Sequence, residues 1–240
     1  MAAYTPFGED ENEPCVLVIG AMAMDAKGRP HDVLVPGTST PGTVHLGIGG
    51  VGRNIAENLA RLGVHTSLLS AVADDPVGRI VLDATASSGV DVSEVVVSHK
   101  HRTGSYIAVL DHDGVPAHAI DDMAVLELVT PSLVYRKRRL IRDADMIVVD
   151  ANLAPETLDT LFSLARKYGR PVCADPTSAS LAPRLLPHMS DIHLVLPSLK
   201  EAEILAGVQP GDPVDVQRLA LRLVNMGVEM AIITISEIGL

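Results

Sequence analysis

The stretch GIGGVGRNIAENLARLG, residues 47–63, gathers glycines just ahead of a helical pattern, with Arg53 and Asn54 at the helix start. Two chemistries use such a stretch. Gly47, Gly49 and Gly52 satisfy G-x-G-x-x-G, the loop that wraps a dinucleotide pyrophosphate at a helix N-terminus. Asp74 and Asp75 lie near the spacing at which an acid would then hold a ribose hydroxyl. In the second chemistry, the glycines let another polar ligand lie against bare backbone, beside outward-pointing N–H groups. The dinucleotide fingerprint belongs to the turn after the first strand of a sheet. Here VLVIG (16–20) is the better first strand, and hairpin-like sequence separates it from the glycines. The second chemistry is favoured.

Polar residues also recur where apolar runs stop. Asp25 follows VLVIG, Asp150 and Asn152 follow DMIVV, Asp175 follows PVCA, and Ser198 with Glu201 follows HLVLP. In an open α/β sheet the ligand sits outside the carboxyl ends of the strands. These groups are expected to converge on one crevice and to hold a polar ligand such as a sugar through hydroxyl-to-carboxylate hydrogen bonds. His99, His101, His112 and His118 fall in turn or hairpin sequence without metal-ligand spacing, and no H-E-x-x-H occurs. YRKRRLIR (135–142) reads as a solvated helix face with Leu133, Val134, Leu140 and Ile141 turned inward.

The elements that must position these groups alternate along the chain. Strands are expected at VLVIG, TSLLSAV (66–72), SYIAVLD (105–111), DMIVVDA (145–151), PVCAD (171–175), IHLVLP (192–197) and AIITIS (231–236). Most are apolar on both faces, as interior parallel strands are. Between them, Asn54 is expected to open a helix with Ile55, Leu59 and Leu62 inward, stopped by Gly63. Pro155 opens another, with Leu158, Leu161, Phe162 and Ala165 inward and Gly169 past its end. A third runs from about Val214 to Met226. This alternation predicts an α/β fold, a doubly wound, mostly parallel sheet. Residues 31–48 and 104–120 read instead as hairpins, the second turning at Asp113-Gly114, and are expected to form a small β-sheet lid. One domain over 15–240 is expected, behind a disordered acidic tail at 1–14.

Composition narrows the partners. The 240 residues are 47% hydrophobic with no Trp and two Phe, a diet of Val, Leu, Ile and Ala that suits a buried sheet. A formal charge of −11 argues against a nucleic-acid backbone or an anionic membrane. Cys15 and Cys173, in apolar sequence and without Cys-x-x-Cys, are expected to be buried thiols of a reducing compartment. The acidic start carries no signal-peptide pattern and no run reaches the ~18 apolar residues of a membrane span. A soluble cytoplasmic protein is expected.

Taken together, GGVGRNIAENLARLG, SAVADDPVG, SSGVDV (87–92), TGSYIAVLD (103–111), ADPTSA (174–179) and LPSLKEAEILAG (196–207) resemble the PfkB/ribokinase family of carbohydrate and nucleoside kinases. The resemblance runs over about residues 15–240. GGVGRNIA, AIDDM (119–123) and VVDANL (148–153) are most similar to the pseudouridine kinases. It implies a ribokinase-type fold with a lid. It also implies transfer of the γ-phosphoryl group of ATP, with Mg2+, to a ribosyl 5′-hydroxyl, and a homodimer through the lid. Asp25, Gly49, Gly50, Asn54 and Asp122 would bind the substrate. Asn152, Asp175, Ser198 and Glu201 would lie on the phosphate and metal side, Glu201 touching the metal indirectly.

The sequence departs from the family pattern at three places. Its Asn-x-x-Glu motif reads Ser198-Leu199-Lys200-Glu201, so the amide is lost and the carboxylate stays. Ala23 stands where pseudouridine kinases often place an asparagine. The family's Gly-Ala-Gly-Asp segment, which supplies the catalytic base and an anion hole, does not occur in the residues given. The expectation is therefore an inactive fragment of a pseudouridine kinase-like enzyme. Another sugar kinase of the family and a non-catalytic sugar-binding protein are the alternatives.

Overall fold

The computed structural model describes residues 14–111, 114–209, 215–235 and 239. Residues 1–13 of the expected tail, His112 and Asp113 of the expected turn, Val214 and Ser236 lie outside the described residues. In chain order the elements are β1 (Cys15–Ile19), β2 (Ala23–Pro30), β3 (Gly42–Gly49), α1 (Val51–Arg61), β4 (His65–Leu69), β5 (Ala71–Ala73) and α2 (Pro76–Ser87). Then come β6 (Val96–Ser98), β7 (Gly104–Leu110), β8 (Pro116–Asp122), α3 (Pro131–Arg136), α4 (Arg138–Asp143) and β9 (Met146–Asp150). The chain continues through α5 (Pro155–Tyr168), β10 (Val172–Asp175), β11 (Leu194–Val195), α6 (Leu199–Leu205), α7 (Val216–Asn225) and β12 (Met230–Ala231).

Six strands pair in parallel in the order β12-β11-β10-β9-β1-β4. The alternation of side chains along β1 feeds two cores. Leu17 and Ile19 join one cluster with Leu158, Leu161 and Phe162 of α5. Val16 and Val18 join the other with Ala56 of α1 and Val81 of α2. Burying each such aliphatic side chain contributes about 1.5–3 kcal/mol, so a strand apolar on both faces stays in the middle of the sheet. Helix α5 forms as its sequence prescribes. Pro155 occupies its first turn, Leu158, Leu161, Phe162 and Ala165 are buried, and Gly169 ends it at φ 65°. The doubly wound α/β sheet is as expected.

Several local expectations need correction. TSLLSAV is not one strand: β4 lies in the main sheet, while β5 pairs with β6 in a separate two-stranded sheet. The break falls at Ser70, whose hydroxyl donates to the Gly20 carbonyl (2.6 Å). Helix α1 begins at Val51, not at Asn54, because Gly50 is its N-cap; the Asn54 N–H already donates to the Gly50 carbonyl (2.9 Å). Leu62, expected inward, is 79% exposed past the end of α1. The basic stretch splits into α3 and α4, with Leu133, Val134, Leu140 and Ile141 buried as expected.

The lid is a four-stranded sheet in the order β3-β2-β7-β8. Its first hairpin is β2–β3, so the expected boundaries of 31–48 are wrong: residues 31–41 are the connection. The signal for β2 was weak, since Ala26 and Gly28 supply small side chains where a strand usually shows branched ones. The second hairpin, β7–β8, falls where 104–120 predicts it. Pairing aligns Asp25, Tyr106 and Asp121 in one row across the lid. The opposite face carries Leu46, Ala26, Ile107 and Ile120 in register, and Leu46, Ile107 and Ile120 are exposed.

Cys15 and Cys173 are free and buried, as expected. Burial, and for Cys15 the nearby carboxylates of Asp145, Asp143 and Asp91, push the thiols up to about 12 and about 11. Among the described residues no helix is long and apolar enough to cross a membrane.

Candidate functional site

A cavity of about 640 Å³ lies between the lid and the carboxyl ends of the sheet. The lid contributes Asp25, Lys27, Tyr106 and Asp121; α1 and its cap contribute Gly50 and Asn54. Asn152, beyond β9, and Thr177 with Ser178, beyond β10, form the far wall. The cavity has a carboxylate row on one wall and amides and hydroxyls on the other. Such walls suit a ligand that both donates and accepts hydrogen bonds.

Asp25 is placed by β2 rather than by the end of β1. Its carboxylate lies over Gly49, where an added Cβ would come within 2.6 Å of Asp25 Oδ2. Gly49 therefore makes room for Asp25 and does not line the cavity. Lys27 Nζ stands 3.6 Å from Asp25 Oδ2. Gly50 touches the cavity, but its glycine identity has another cause. It sits at φ 94°, and a Cβ would reach 2.5 Å from the Met22 Cα. The close approach is to the β1–β2 backbone. Asn54 is in the first turn of α1, and its Oδ1 accepts from the Arg53 guanidinium (3.2 Å). That leaves the amide N–H pair of Asn54 for a ligand.

Arg53 is buried, contrary to its placement at an open helix start. It donates to Thr85 Oγ1 of α2 (3.1 Å), donates to the Ile48 carbonyl of β3 (3.4 Å), and pairs with Glu57. Asp75 does not offer its carboxylate to a ribose: it caps α2 and accepts from the Thr103 N–H and hydroxyl. Asp74 pairs with Arg79 and His99. These placements remove the acid that a dinucleotide loop would need.

Asp122, expected to bind substrate, does not line this cavity; its neighbour Asp121 does. Side chains alternate across a strand, and with Asp121 paired to Tyr106, Asp122 borders an adjoining hollow that shares Asp121 and Asn152. The Asp122 carboxylate accepts from the Ala124 N–H (3.2 Å). Tyr106, Lys27, Asp121 and Thr177 were missed. A period-two reading of MDAKGR would have flagged Asp25 and Lys27 together.

Asp175 acts on the cavity through Thr177, a β-branched residue held at φ 67°, where such residues are rarely found. Asp175 Oδ1 accepts the Thr177 N–H (2.7 Å), and Thr177 Oγ1 accepts the Ala151 N–H (3.0 Å). Burial first, then the charges of Asp150 and Glu201, push the Asp175 carboxyl up to about 6 against the Thr177 N–H. Because this lies above its unfolded value of 3.8, the folded state keeps the proton longer and stability falls as pH rises from about 4 to about 6. Asp175→Asn keeps an oxygen for Thr177 and removes the buried charge. It is expected to raise stability at pH ~7.5 by about 1–3 kcal/mol, with the gain vanishing below pH ~4. Urea denaturation at both pH values checks this; no gain at the higher pH would mean that the charge is well solvated.

Ser198 and Glu201 do not join the Asp25 cavity, so the expected single crevice is two. Ser198 borders a second hollow with Lys200, Glu203 and Thr234. Glu201 forms the capping box of α6, its Oε2 accepting the Ser198 N–H (2.8 Å). One carboxylate oxygen is thereby committed to the helix cap. Among the described residues no three His, Cys, Asp or Glu side chains gather as a metal cage. Asp150 is wholly buried and does not line the Asp25 cavity.

Residues 14–239 match the model of the pfkB family carbohydrate kinase. An uncharacterized sugar kinase of Escherichia coli, YeiI, is 41% identical over 198 residues, which cover 82% of this chain and 54% of that protein. The pseudouridine kinase of E. coli is 34% identical over 93% of this chain and 71% of its own length. The chain thus spans about half to about seven-tenths of these relatives' lengths. A carbohydrate kinase from Agrobacterium tumefaciens superposes with a TM-score of 0.78 at 30% identity, over 93% of this chain and 70% of that one. An Arabidopsis thaliana ribokinase complexed with ribose and ATP gives 0.77 at 18% identity, over 93% of this chain and 72% of that one, and shows the shared fold. The chain belongs to the pfkB family of carbohydrate kinases.

Proposed function

We propose that the cavity binds the ribosyl group of a nucleoside, pseudouridine above others. The whole protein would then transfer the γ-phosphoryl group of ATP to its 5′-hydroxyl. The observation that carries this reading is Asp25, a carboxylate bedded on Gly49 across from Asn54 and Asn152. An ionised carboxylate accepts two hydroxyl hydrogens at once, as a vicinal diol requires. Tyr106 and Asp121 on the same wall favour a nucleoside over a free pentose: the ring offers a stacking surface and the carboxylate an acceptor for a base N–H. Pseudouridine carries one more ring N–H than uridine. Another sugar kinase activity is the second reading, supported by the 41% identity to the E. coli sugar kinase.

Mg2+ with ATP would neutralise charge on the transferred phosphoryl group. Toward them, Asp175 and Glu201 supply carboxylates, while Thr177 and Ser178 supply hydroxyls. A homodimer through the lid is supported by the apolar row Leu46, Ile107 and Ile120. A cytoplasmic home is supported by the two free thiols.

Calorimetric titration of the chain with pseudouridine, uridine, ribose and NADH tests the binding reading, and an ATP-consumption assay tests turnover. Saturable binding of the ribosyl compounds, tightest for pseudouridine, is expected. Saturable binding of NADH, or of none of the ribosyl compounds, would overturn it.

A further inference from the structure

We propose that Asp150 is the positioning residue of this site: one buried carboxylate sets the spacing of the three segments that carry Asp25, Asn54 and Asn152. The inference rests on the ribosyl-binding reading above and concerns how that site is held.

Asp150 ends β9 in the centre of the sheet and is fully buried. Its Oδ2 accepts two backbone N–H groups, from Ala21 (2.7 Å) and Gly52 (2.8 Å). Its Oδ1 accepts the N–H of Asn152 (3.0 Å), and the Asn152 side chain hydrogen-bonds the same carboxyl group. Each donor lies close to a residue of the cavity wall. Ala21 leads directly into β2 and Asp25, Gly52 lies in the first turn of α1 just before Asn54, and Asn152 lines the cavity itself. Gly20 and Gly52 keep their glycine identity for the same carboxylate. A Cβ on Gly20 would come within 2.6 Å of the Asp150 carboxyl carbon, and one on Gly52 within 2.8 Å of the Gly20 Cα. Three backbone segments close on one side chain, and two glycines let them do so. Because Asp150 is fully buried and does not line the Asp25 cavity, it acts through these segments and not on the ligand.

The division of labour between its oxygens gives a sharp test. In Asp150→Asn the single amide oxygen can replace Oδ2 and keep both the Ala21 and Gly52 bonds. The amide N–H2 then faces the Asn152 N–H, donor against donor, the Asn152 side-chain bond to the carboxyl is disturbed with it, and that segment alone is released. The reverse orientation would lose two bonds to keep one.

Dissociation constants for pseudouridine and ribose are to be measured on the wild-type chain, Asp150→Asn, Asn152→Ala, their double variant and Asp25→Ala, with thermal melts of each. Asp150→Asn and Asn152→Ala should each weaken binding about tenfold, the worth of one charge-assisted hydrogen bond. The double variant should also be about tenfold weaker, not a hundredfold, since both act through one segment. A general loss of structure would multiply the effects instead. Unchanged affinity in Asp150→Asn, or multiplied effects in the double variant, overturns the inference. If Asp25→Ala loses affinity while Asp150→Asn does not, only this inference falls; if the wild-type chain binds neither ligand, the ribosyl reading falls with it. Should Asp150→Asn fail to fold, amide exchange in the wild-type chain decides. Ligand saturation should slow the Ala21, Gly52 and Asn152 N–H groups together, and independent responses would overturn the inference.

Discussion

Gly50→Val is expected to destabilise the fold by about 2–6 kcal/mol, the largest loss of stability of any single substitution at the site. The residue sits at φ 94°, a conformation that a β-branched side chain adopts at a cost of about 1–3 kcal/mol. Its Cβ would stand 2.5 Å from the Met22 Cα and 2.7 Å from the Ala21 carbonyl carbon, both of them backbone. That backbone cannot step aside. The Ala21 N–H is held by Asp150 (2.7 Å), and the Ala21 carbonyl accepts the Arg53 N–H (2.9 Å). Forcing atoms into such a packed place costs about 1–3 kcal/mol or more beyond the backbone strain. Against a net stability of about 5–15 kcal/mol, a sum of about 2–6 kcal/mol removes a large share of the folding free energy. Gly47→Ala is the control, because a Cβ there meets nothing within 4 Å, and it should be nearly neutral. Soluble yield and urea denaturation of the two variants make the comparison. A Gly50→Val chain of normal stability that merely fails to bind would mean that the ligand, and not the β1–β2 backbone, is what needs the glycine.

Asp25→Ala should have the opposite signature: near-normal stability with ligand binding weakened at least about a hundredfold. Within the protein its ion pair is Lys27 at 3.6 Å, and a pair this open to water is worth about 0–1 kcal/mol. Toward a diol the same carboxylate would accept two charge-assisted hydrogen bonds, each worth about 1.5–3 kcal/mol. The two together correspond to a factor of about 10² to 10⁴ in affinity. Asp122→Ala, outside the cavity lining, should change affinity by less than about threefold. Titration calorimetry with ribose on both variants separates these outcomes. Equal losses would show that the lid register does not select the carboxylate, and an unaffected Asp25→Ala would remove the residue from the ligand altogether.

Both predictions depend on features of unequal visibility in the sequence. The alternating parallel sheet was legible because strands such as VLVIG and DMIVV are apolar on both faces, a pattern that the centre of a covered sheet satisfies. Helix α5 was legible from end to end, since Pro155, the spacing of Leu158, Leu161, Phe162 and Ala165, and Gly169 are all local signals. The family resemblance was legible for the same reason, being carried by short contiguous motifs. The second lid hairpin was legible from the run SYIAVLD and the Asp-Gly pair after it.

What the sequence by itself determined is thus local: periodicity, caps, turns, and the residue types available near the strand ends. What tertiary structure alone decided is which of those residues face one another. Asp121 and Asp122 are indistinguishable in AIDDM, and only the pairing of β8 with Tyr106 assigns the first to the cavity. Asp25 and Asp150 both follow apolar runs, yet one rides on the lid and faces the cavity while the other is sealed beneath it. Gly50 lines the cavity, yet what requires a glycine there is the β1–β2 turn lying against it. The physical reason is common to all three. A buried polar group must be paired, and its partners are chosen by whichever backbone the packed sheet brings alongside: for Asp150, the N–H of Ala21, 129 residues away in the chain.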